Sequence, residues 1–393
     1  MGEKKLRVGI AGLGLAGTLM IPVFLRHPHT TITAVADTNP EAVERFVKDF
    51  DVSAFTDAED LCESEDVDVI YISTPTQFHT RHAIAAAQNK KHIILEKPIT
   101  VSLEEADAII QAVESNGVHL VIGHIHSFER PIMKMREMIR DRALGELKMI
   151  NSMYYNDWLY RPRLSDELDP TISGGLLLNQ GFHQFDIIRL LGGGLVKSVR
   201  AAAGISDHAR VSAGSYTAFL EFEDGATAVA VYSGNDHFHS AELTFGVGEL
   251  GQKHSDTSEE ARLKLKRGLY DEPKPKKKYD GIQGLNDLMD APHQPFFGLT
   301  IVSCEKGDIR QSPDGLFIYG DEGKIEMPIK HGVYGRFEVV DELFNAICNQ
   351  EEPLHNSRWG KATLEVCLAV QQSGREKREI YLSHQVKAEP HSR

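Results

Sequence analysis

The pattern of apolar runs predicts an α/β chain in two parts. A doubly wound α/β domain spans residues 1–124, and an α+β domain with a large, mostly antiparallel open sheet spans 125–393. Three observations predict this. Short apolar runs alternate with helical periodicity through the first third of the chain. A glycine-rich turn joins the first run to a helix. After about Ile125 the runs lengthen, alternate in polarity and are separated by Asp-Gly or Glu-Gly turns.

Each element follows from its own residues. "LRVGIAG", "TITAVAD", "DVDVIYIST", "KHIILE" and "VHLVIGH" read as strands. Between them "LAGTLMIPVFLRH", "PEAVERFVKDF", "HTRHAIAAAQNK" and "SLEEADAIIQAVESNG" carry helical spacing. Pro40 suits a first helical turn, and Ser102 with Glu105 forms a capping box. Strands separated by helices pair in parallel with right-handed crossovers. In the second part "ELKMINSMYY", "SYTAFLEFEDGATAVAVYS", "AELTFGV" and the run from Phe297 to Ile329 read as strands, several joined as hairpins. "RFEVVDELFNAICN" and "SRWGKATLEVCLAVQQSGR" read as two closing helices. The stretch 255–295, with "DEPKPKKKYD", reads as a solvated surface insertion.

The glycine turn is "VGIAGLGLAG", with Gly12, Gly14 and Gly17 in G-x-G-x-x-G spacing. It follows a strand and opens a helix. Asp37 ends the next strand, about twenty residues beyond the last glycine. Together these features make the dinucleotide fingerprint of a Rossmann domain. Gly12 allows the tight turn, Gly14 admits a pyrophosphate to the backbone N–H groups, and Gly17 lets helix and strand pack closely. Leu15 and Ala16 open the helix whose N-terminus faces the phosphates. The Asp37 carboxylate accepts ribose hydroxyls and repels a 2′-phosphate, and no arginine follows at 38–40, so NAD is the expected cofactor.

Further candidates end the later strands, at the carboxyl edge where such sheets bind ligands. Thr74 and Pro75 form a cofactor wall, with His79 beside it. In "LEKPIT", Pro98 keeps Lys97 out of helical geometry, and a cis Lys97–Pro98 bond fits such a turn. Lys97 at the end of a buried strand needs a partner, such as Glu96, or a task. Next to a cationic nicotinamide it can act on a substrate hydroxyl.

These residues resemble the Gfo/Idh/MocA oxidoreductase family, and the resemblance runs over nearly the whole chain. It implies the "EKP" lysine and a motif G-G-x-x-x-D-x-G-x-H-x-x-D, present here as "GGLLLNQGFHQFD". Gly174, Gly175, Gly181, His183 and Asp186 match, but the family's first aspartate is Asn179. Asparagine cannot act as a base, though it can hydrogen-bond a hydroxyl. The resemblance therefore implies Lys97 and His183 as the proton carriers, with Asn179 orienting substrate from the same helical face. It also implies a homo-oligomer, dimer or tetramer, assembled through the C-terminal sheet.

"GHIHSFERPI", "NDWLYRPR" and "PLHNSRWGKATLEVCLAV" resemble the family's phthalate 4,5-cis-dihydrodiol dehydrogenase branch. That branch implies oxidation of an anionic ring diol to a dihydroxy aromatic. Arg161 and Arg163 suit two carboxylates as bidentate forks, Trp158 and Tyr160 suit a planar ring, and His124 and His126 follow the last strand of the first domain. A sugar or inositol dehydrogenase on the same scaffold is the alternative. A non-catalytic NAD-binding sensor is the more remote one.

The net charge of −14 opposes nucleic-acid binding. No run is long and apolar enough for a membrane span, and the first residues lack a secretory pattern. Cys62, Cys304, Cys348 and Cys367 form no C-x-x-C pair and read as reduced thiols of a cytoplasmic protein. His124 and His126 have no third ligand at metal spacing, so no metal is expected.

Overall fold

The structure, a computed structural model, describes residues 5–123, 125–162, 165–253, 261–269, 279–282, 285, 291–330 and 336–389. Its first sheet is parallel and six-stranded. The strands are β1 (Leu6–Ala11), β2 (Thr30–Ala36), β3 (Ser53–Phe55), β4 (Val69–Ile72), β5 (His92–Leu95) and β6 (Leu120–Ile122), in the order β3-β2-β1-β4-β5-β6. The order reverses between β1 and β4, and this is the switch point where doubly wound folds bind ligands. All of β4 is buried, which explains its unbroken apolar run VIYI.

Five helices connect these strands: α1 (Leu15–Arg26), α2 (Pro40–Asp49), α3 (Ala58–Glu63), α4 (His79–Gln88) and α5 (Leu103–Asn116). Their starts are written in the sequence. Asn39 caps α2, its side chain accepting the Glu41 N–H, with Pro40 in the first turn. Ser102 caps α5 by accepting the Glu105 N–H, and Gly117 ends it in the left-handed conformation that glycine favours.

The second sheet has nine strands, β7 (Leu147–Tyr155), β8 (Val196–Gly204), β9 (Ser215–Phe222), β10 (Thr227–Ser233), β11 (Leu299–Cys304), β12 (Gly307–Ser312), β13 (Gly315–Gly320), β14 (Gly323–Pro328) and β15 (Ile380–Tyr381). The order is β14-β13-β12-β11-β7-β10-β9-β8-β15. Every pairing is antiparallel except β7 with β10. The Asp-Gly and Glu-Gly turns fall between β9 and β10, β12 and β13, and β13 and β14, as the hairpin reading requires. One inner face is buried, through Ile150, Tyr154, Tyr216, Leu220, Ala230 and Tyr232.

The same face carries α6 (Arg130–Arg140), α7 (Phe182–Leu191) and, towards β8 and β15, α10 (Ser357–Glu376), with a short α8 (Ala261–Lys266) in the insertion. α9 (Phe337–Cys348) packs instead on β5 and β6 of the first sheet, and α10 also reaches β6; between these two helices the His355 carbonyl accepts the Ile122 N–H of β6 at 2.8 Å. Asp186 on α7 accepts from the Trp359 indole at 2.6 Å, and Arg189 stacks on that ring.

Three readings are corrected. "AELTFGV" is not a strand. Ser240–Leu243 forms a 3-10 turn: the His239 ring accepts the Ala241 N–H, and Ser240 meets the end of β7 through its hydroxyl, which accepts the Tyr155 N–H and donates to the Tyr155 carbonyl, not through a backbone ladder. The insertion 255–295 is not wholly solvated, since Tyr279 and Leu285 are buried. Most of "DEPKPKKKYD" lies outside the described residues. Finally, Asn179 and His183 do not share a regular α-helical face, because Leu177–Gly181 is a π-helical turn leading into α7.

Candidate active site

The glycine loop fits a dinucleotide by its shape. Gly12 has φ of +104°, and a Cβ there would stand 2.9 Å from the Ser73 carbonyl. A Cβ on Gly17 would stand 2.0 Å from the Gly12 carbonyl, so only glycine lets α1 approach β1 this closely. At Gly14 no protein atom lies within 4 Å of the Cβ position. Nothing in the protein excludes a side chain at Gly14, which leaves room for the loop to approach a ligand. Gly14 is also the N-cap of α1 and supplies no side-chain cap, so the first-turn N–H groups, those of Leu15, Ala16 and Gly17, are turned to the loop. Asp37 ends β2 with one carboxylate oxygen accepting the Leu13 N–H at 2.7 Å and the other the Asn39 N–H at 2.8 Å. These residues fit NAD, with the pyrophosphate on the loop and the ribose beside Asp37.

The loops after β4 and β5 are stitched together. The His79 ring, 1% exposed, sets Nδ1 2.9 Å from the Pro98 carbonyl and Nε2 2.9 Å from the Thr74 carbonyl. Burial pushes its pKa down to about 4 despite those two carbonyls, so the ring is neutral and one nitrogen donates. His79 therefore links the Thr74–Pro75 wall to the Lys97–Pro98 turn and has no ring nitrogen left for a cofactor. The Lys97–Pro98 peptide is cis. Buried Glu96 accepts from the Tyr71 hydroxyl at 2.8 Å and lies 3.3 Å from the Lys97 N–H.

Lys97 reaches from this edge into the second half of the chain. Its Nζ donates to the Asn179 carbonyl at 2.9 Å. Asn179 thus meets Lys97 through its backbone, while its side-chain Oδ1 accepts from the Trp158 indole at 2.9 Å and the Gln180 amide at 3.2 Å. Four residues on, His183 packs edge to face on His126, ring centroids 4.7 Å apart, with Phe297 5.2 Å from His183 and 4.7 Å from His126. Tyr154 packs edge to face with Phe297 at 4.7 Å.

The segment "WLYRPR" is arranged differently from the sequence reading. Trp158 is fully buried and positions Asn179, so it presents no stacking face. Tyr160 is buried too, its hydroxyl donating to Asp207 at 2.9 Å and its ring flanked by Arg210 and Arg262. Arg161 is paired with Asp157 and, at 3.3 Å, with Glu249. Burial opposes the charge on Arg161, but the two carboxylates overcome it and raise the pKa well above the usual arginine value. Burial would likewise raise Glu249, yet Arg161 and His126 hold it at about 2, with help from the Tyr154 hydroxyl. Glu249 was not legible: it lies in the glycine-flanked "VGELG", with no spacing that ties it to a distant arginine. His124 and Arg163 lie outside the described residues.

Two family models match this chain. The oxidoreductase family with the NAD-binding Rossmann fold matches residues 6–124, and the GFO/IDH/MocA C-terminal domain matches 132–251. The chain belongs to the Gfo/Idh/MocA oxidoreductase family. It is an NAD-dependent dehydrogenase, and its fold is shared along its length. A 1-carboxy-3-chloro-3,4-dihydroxycyclohexa-1,5-diene dehydrogenase of Comamonas testosteroni is 36% identical over 378 residues, covering 94% of this chain and 95% of that one. A solved structure from Bordetella bronchiseptica RB50 matches with TM-score 0.91 and 39% identity, covering 96% of this chain and all of the other. A myo-inositol 2-dehydrogenase of Thermotoga maritima is 26% identical over 202 residues, covering 51% of this chain and 59% of that one. Among the described residues no helix is long and apolar enough to cross a membrane.

Proposed function

We propose that this dehydrogenase oxidises a carboxylated cyclohexadiene cis-diol to the dihydroxy aromatic. The aromatic cluster at His183 carries the reading: Phe297 packs on the His126 and Tyr154 rings at 4.7 Å and on His183 at 5.2 Å. An apolar wall of this kind suits a cyclic diene better than a sugar, which needs hydrogen-bond partners around its rim. The full-length likeness to a carboxylated cyclohexadiene-diol dehydrogenase supports the same class. A carboxylated substrate also accords with Arg161. Its guanidinium is fully charged but already paired with Asp157 and Glu249, so a substrate carboxylate would have to share it with them or displace one of them. One substrate carboxylate fits it better than the phthalate pair. Arg163 would have to supply the second fork.

Lys97 and His183 divide the proton work. Lys97 is held by the Asn179 carbonyl at the edge of the parallel sheet, and His183 opens α7 across from it. In its neutral form Lys97 takes the proton of the reacting hydroxyl, and His183 holds or exchanges the proton of the neighbouring one. Bound NAD supplies the hydride acceptor for the carbinol carbon. In the ketone left behind a proton leaves the neighbouring ring carbon and one is added to the carbonyl oxygen, and this enolisation makes the ring aromatic and the direction strongly favourable. Asn179, Trp158 and Glu96 position these groups.

The experiment is NAD reduction over a panel of carboxylated dihydrodiols, unsubstituted dihydrodiols, inositols and aldoses. Turnover concentrated on the carboxylated dihydrodiols is expected. Turnover on inositols alone would replace this reading with a polyol dehydrogenase, and NAD binding without turnover would favour a sensor.

We further propose that the chain pairs with a copy of itself through the outer face of the nine-stranded sheet, in a cytoplasmic setting. Met149 and Phe219 lie exposed on that face. Phe219→Asp should shift the species seen by light scattering to the monomer.

A further inference from the structure

We propose that Tyr279, in the insertion of the second half, fixes the conformation of the glycine loop and so completes the cofactor site from outside the dinucleotide domain. Leu13 stands between Gly12 and Gly14, the two most permissive residues of the loop, so its peptide groups are held only as well as their hydrogen bonds hold them. The Leu13 N–H is tied to Asp37 at 2.7 Å. The Leu13 carbonyl accepts the backbone N–H of Tyr279 at 3.0 Å. Both residues are buried, so water does not compete well for that bond.

Tyr279 is itself seated firmly. Its ring meets Phe46 edge to face at 5.1 Å and lies 6.4 Å from Phe50. Its hydroxyl donates to Asp49 at 2.5 Å. Next to it Asp280 pairs with Arg45, an exposed contact that adds little by itself. One residue therefore joins the C-terminal end of α2 to the turn that cradles the pyrophosphate. Rotation of the Leu13–Gly14 peptide would break the Tyr279 bond and disturb the neighbouring tie to Asp37, the residue set beside the ribose. The described part of the insertion is tied to the second half as well, α8 packing on Trp158–Tyr160 and the Arg262 N–H donating to Asp236, so a cofactor loop encoded near the start of the chain is held by a segment that also touches the second half.

The test uses Tyr279→Phe, Tyr279→Leu and Tyr279→Ala in the full chain. Three quantities are measured: dissociation constants for NAD and ADP-ribose by calorimetry, hydrogen exchange of the Leu13 and Gly14 amides without ligand, and kcat at saturating NAD. Tyr279→Ala should weaken both ligands about tenfold, the scale of losing one well-placed hydrogen bond. It should speed exchange at Leu13 and leave kcat at the parent value. Tyr279→Leu keeps an apolar anchor and should lose about threefold, and Tyr279→Phe should bind within about twofold of the parent. Parent-like dissociation constants in both the Leu and Ala variants would overturn the proposal. So would unchanged exchange at Leu13, or a fall in kcat at saturating NAD, since a loop-positioning role acts on binding alone. Should Tyr279→Ala not fold, the Leu variant decides by the same measures.

Discussion

The glycine loop and the segment from Trp158 to Arg161 are held in shape by opposite means. The loop works with backbone: glycines that leave room, N–H groups of a helix start, and one carboxylate at a fixed distance along the chain. The Trp158 segment works with side chains whose partners are far away in sequence, Asn179 for Trp158, Asp207 for Tyr160 and Glu249 for Arg161. A backbone device needs particular residues at particular spacings, so it can be read from the chain alone. A side-chain network needs only that two elements meet, and many sequences meet that condition.

The strongest test of this contrast removes Lys97, which reaches from the parallel sheet to the Asn179 carbonyl. Lys97→Ala should lower kcat by about a hundredfold or more, the scale of a lost general base. NAD affinity by calorimetry should stay within a few-fold of the parent. Parent-like turnover would move the proton work to His183 and separate the two halves functionally.

The second test probes the stitching of the loops. The His79 pKa is lowered to about 4 in the fold, against 6.5 for an ordinary histidine. Its neutral form is therefore the stable one. The contribution is fully present above pH 6.5 and is lost as pH falls towards 4. Between pH 7 and pH 5 the parent should lose about 2 kcal/mol more unfolding free energy than His79→Gln, measured with urea. A parent that gains on acidification relative to the variant would mean an imidazolium donating to both carbonyls.

The third sharpens the side-chain half. Arg161→Ala should raise the substrate constant for a carboxylated dihydrodiol about tenfold and leave the NAD constant unchanged, with Lys a poor replacement for the planar fork. Glu249→Gln should lower that constant, because it relieves the guanidinium of one competing carboxylate. No change in either variant would remove Arg161 from substrate binding. The smallest effect belongs to the backbone half: Asp37→Ala should narrow the preference for NAD over NADP by several-fold, read as the ratio of kcat/KM values.

What could be read in advance follows the same division. The parallel sheet, Pro40 in the first turn of α2, the cap at Ser102, the hairpins and the glycine loop all rest on local rules, and the structure has them where the residues call for them. The site around His183 was reached only through a resemblance, and even there the local geometry differs. The π turn at Leu177–Gly181 breaks the expected spacing, and Asn179 meets Lys97 by its carbonyl and not by the substituted side chain. Asp186, the motif's last residue, binds Trp359 and joins α7 to α10. Glu249 and Tyr279 act on residues far from them in sequence, and nothing in their immediate surroundings marks them.

The bond from Ile122 to His355 has a consequence for how the protein is made. β6 is the outer strand of the parallel sheet, and α9 and α10 cover it only near the end of the chain. While a ribosome is still adding the residues between them, that strand offers bare N–H and C=O groups to any other nascent chain. A fragment cut at residue 124 would keep the edge bare permanently. The dinucleotide half, complete in its own topology, thus has an edge that only the second half covers: its yield as a separate piece should depend on salt, concentration and chaperones in a way the whole protein's does not.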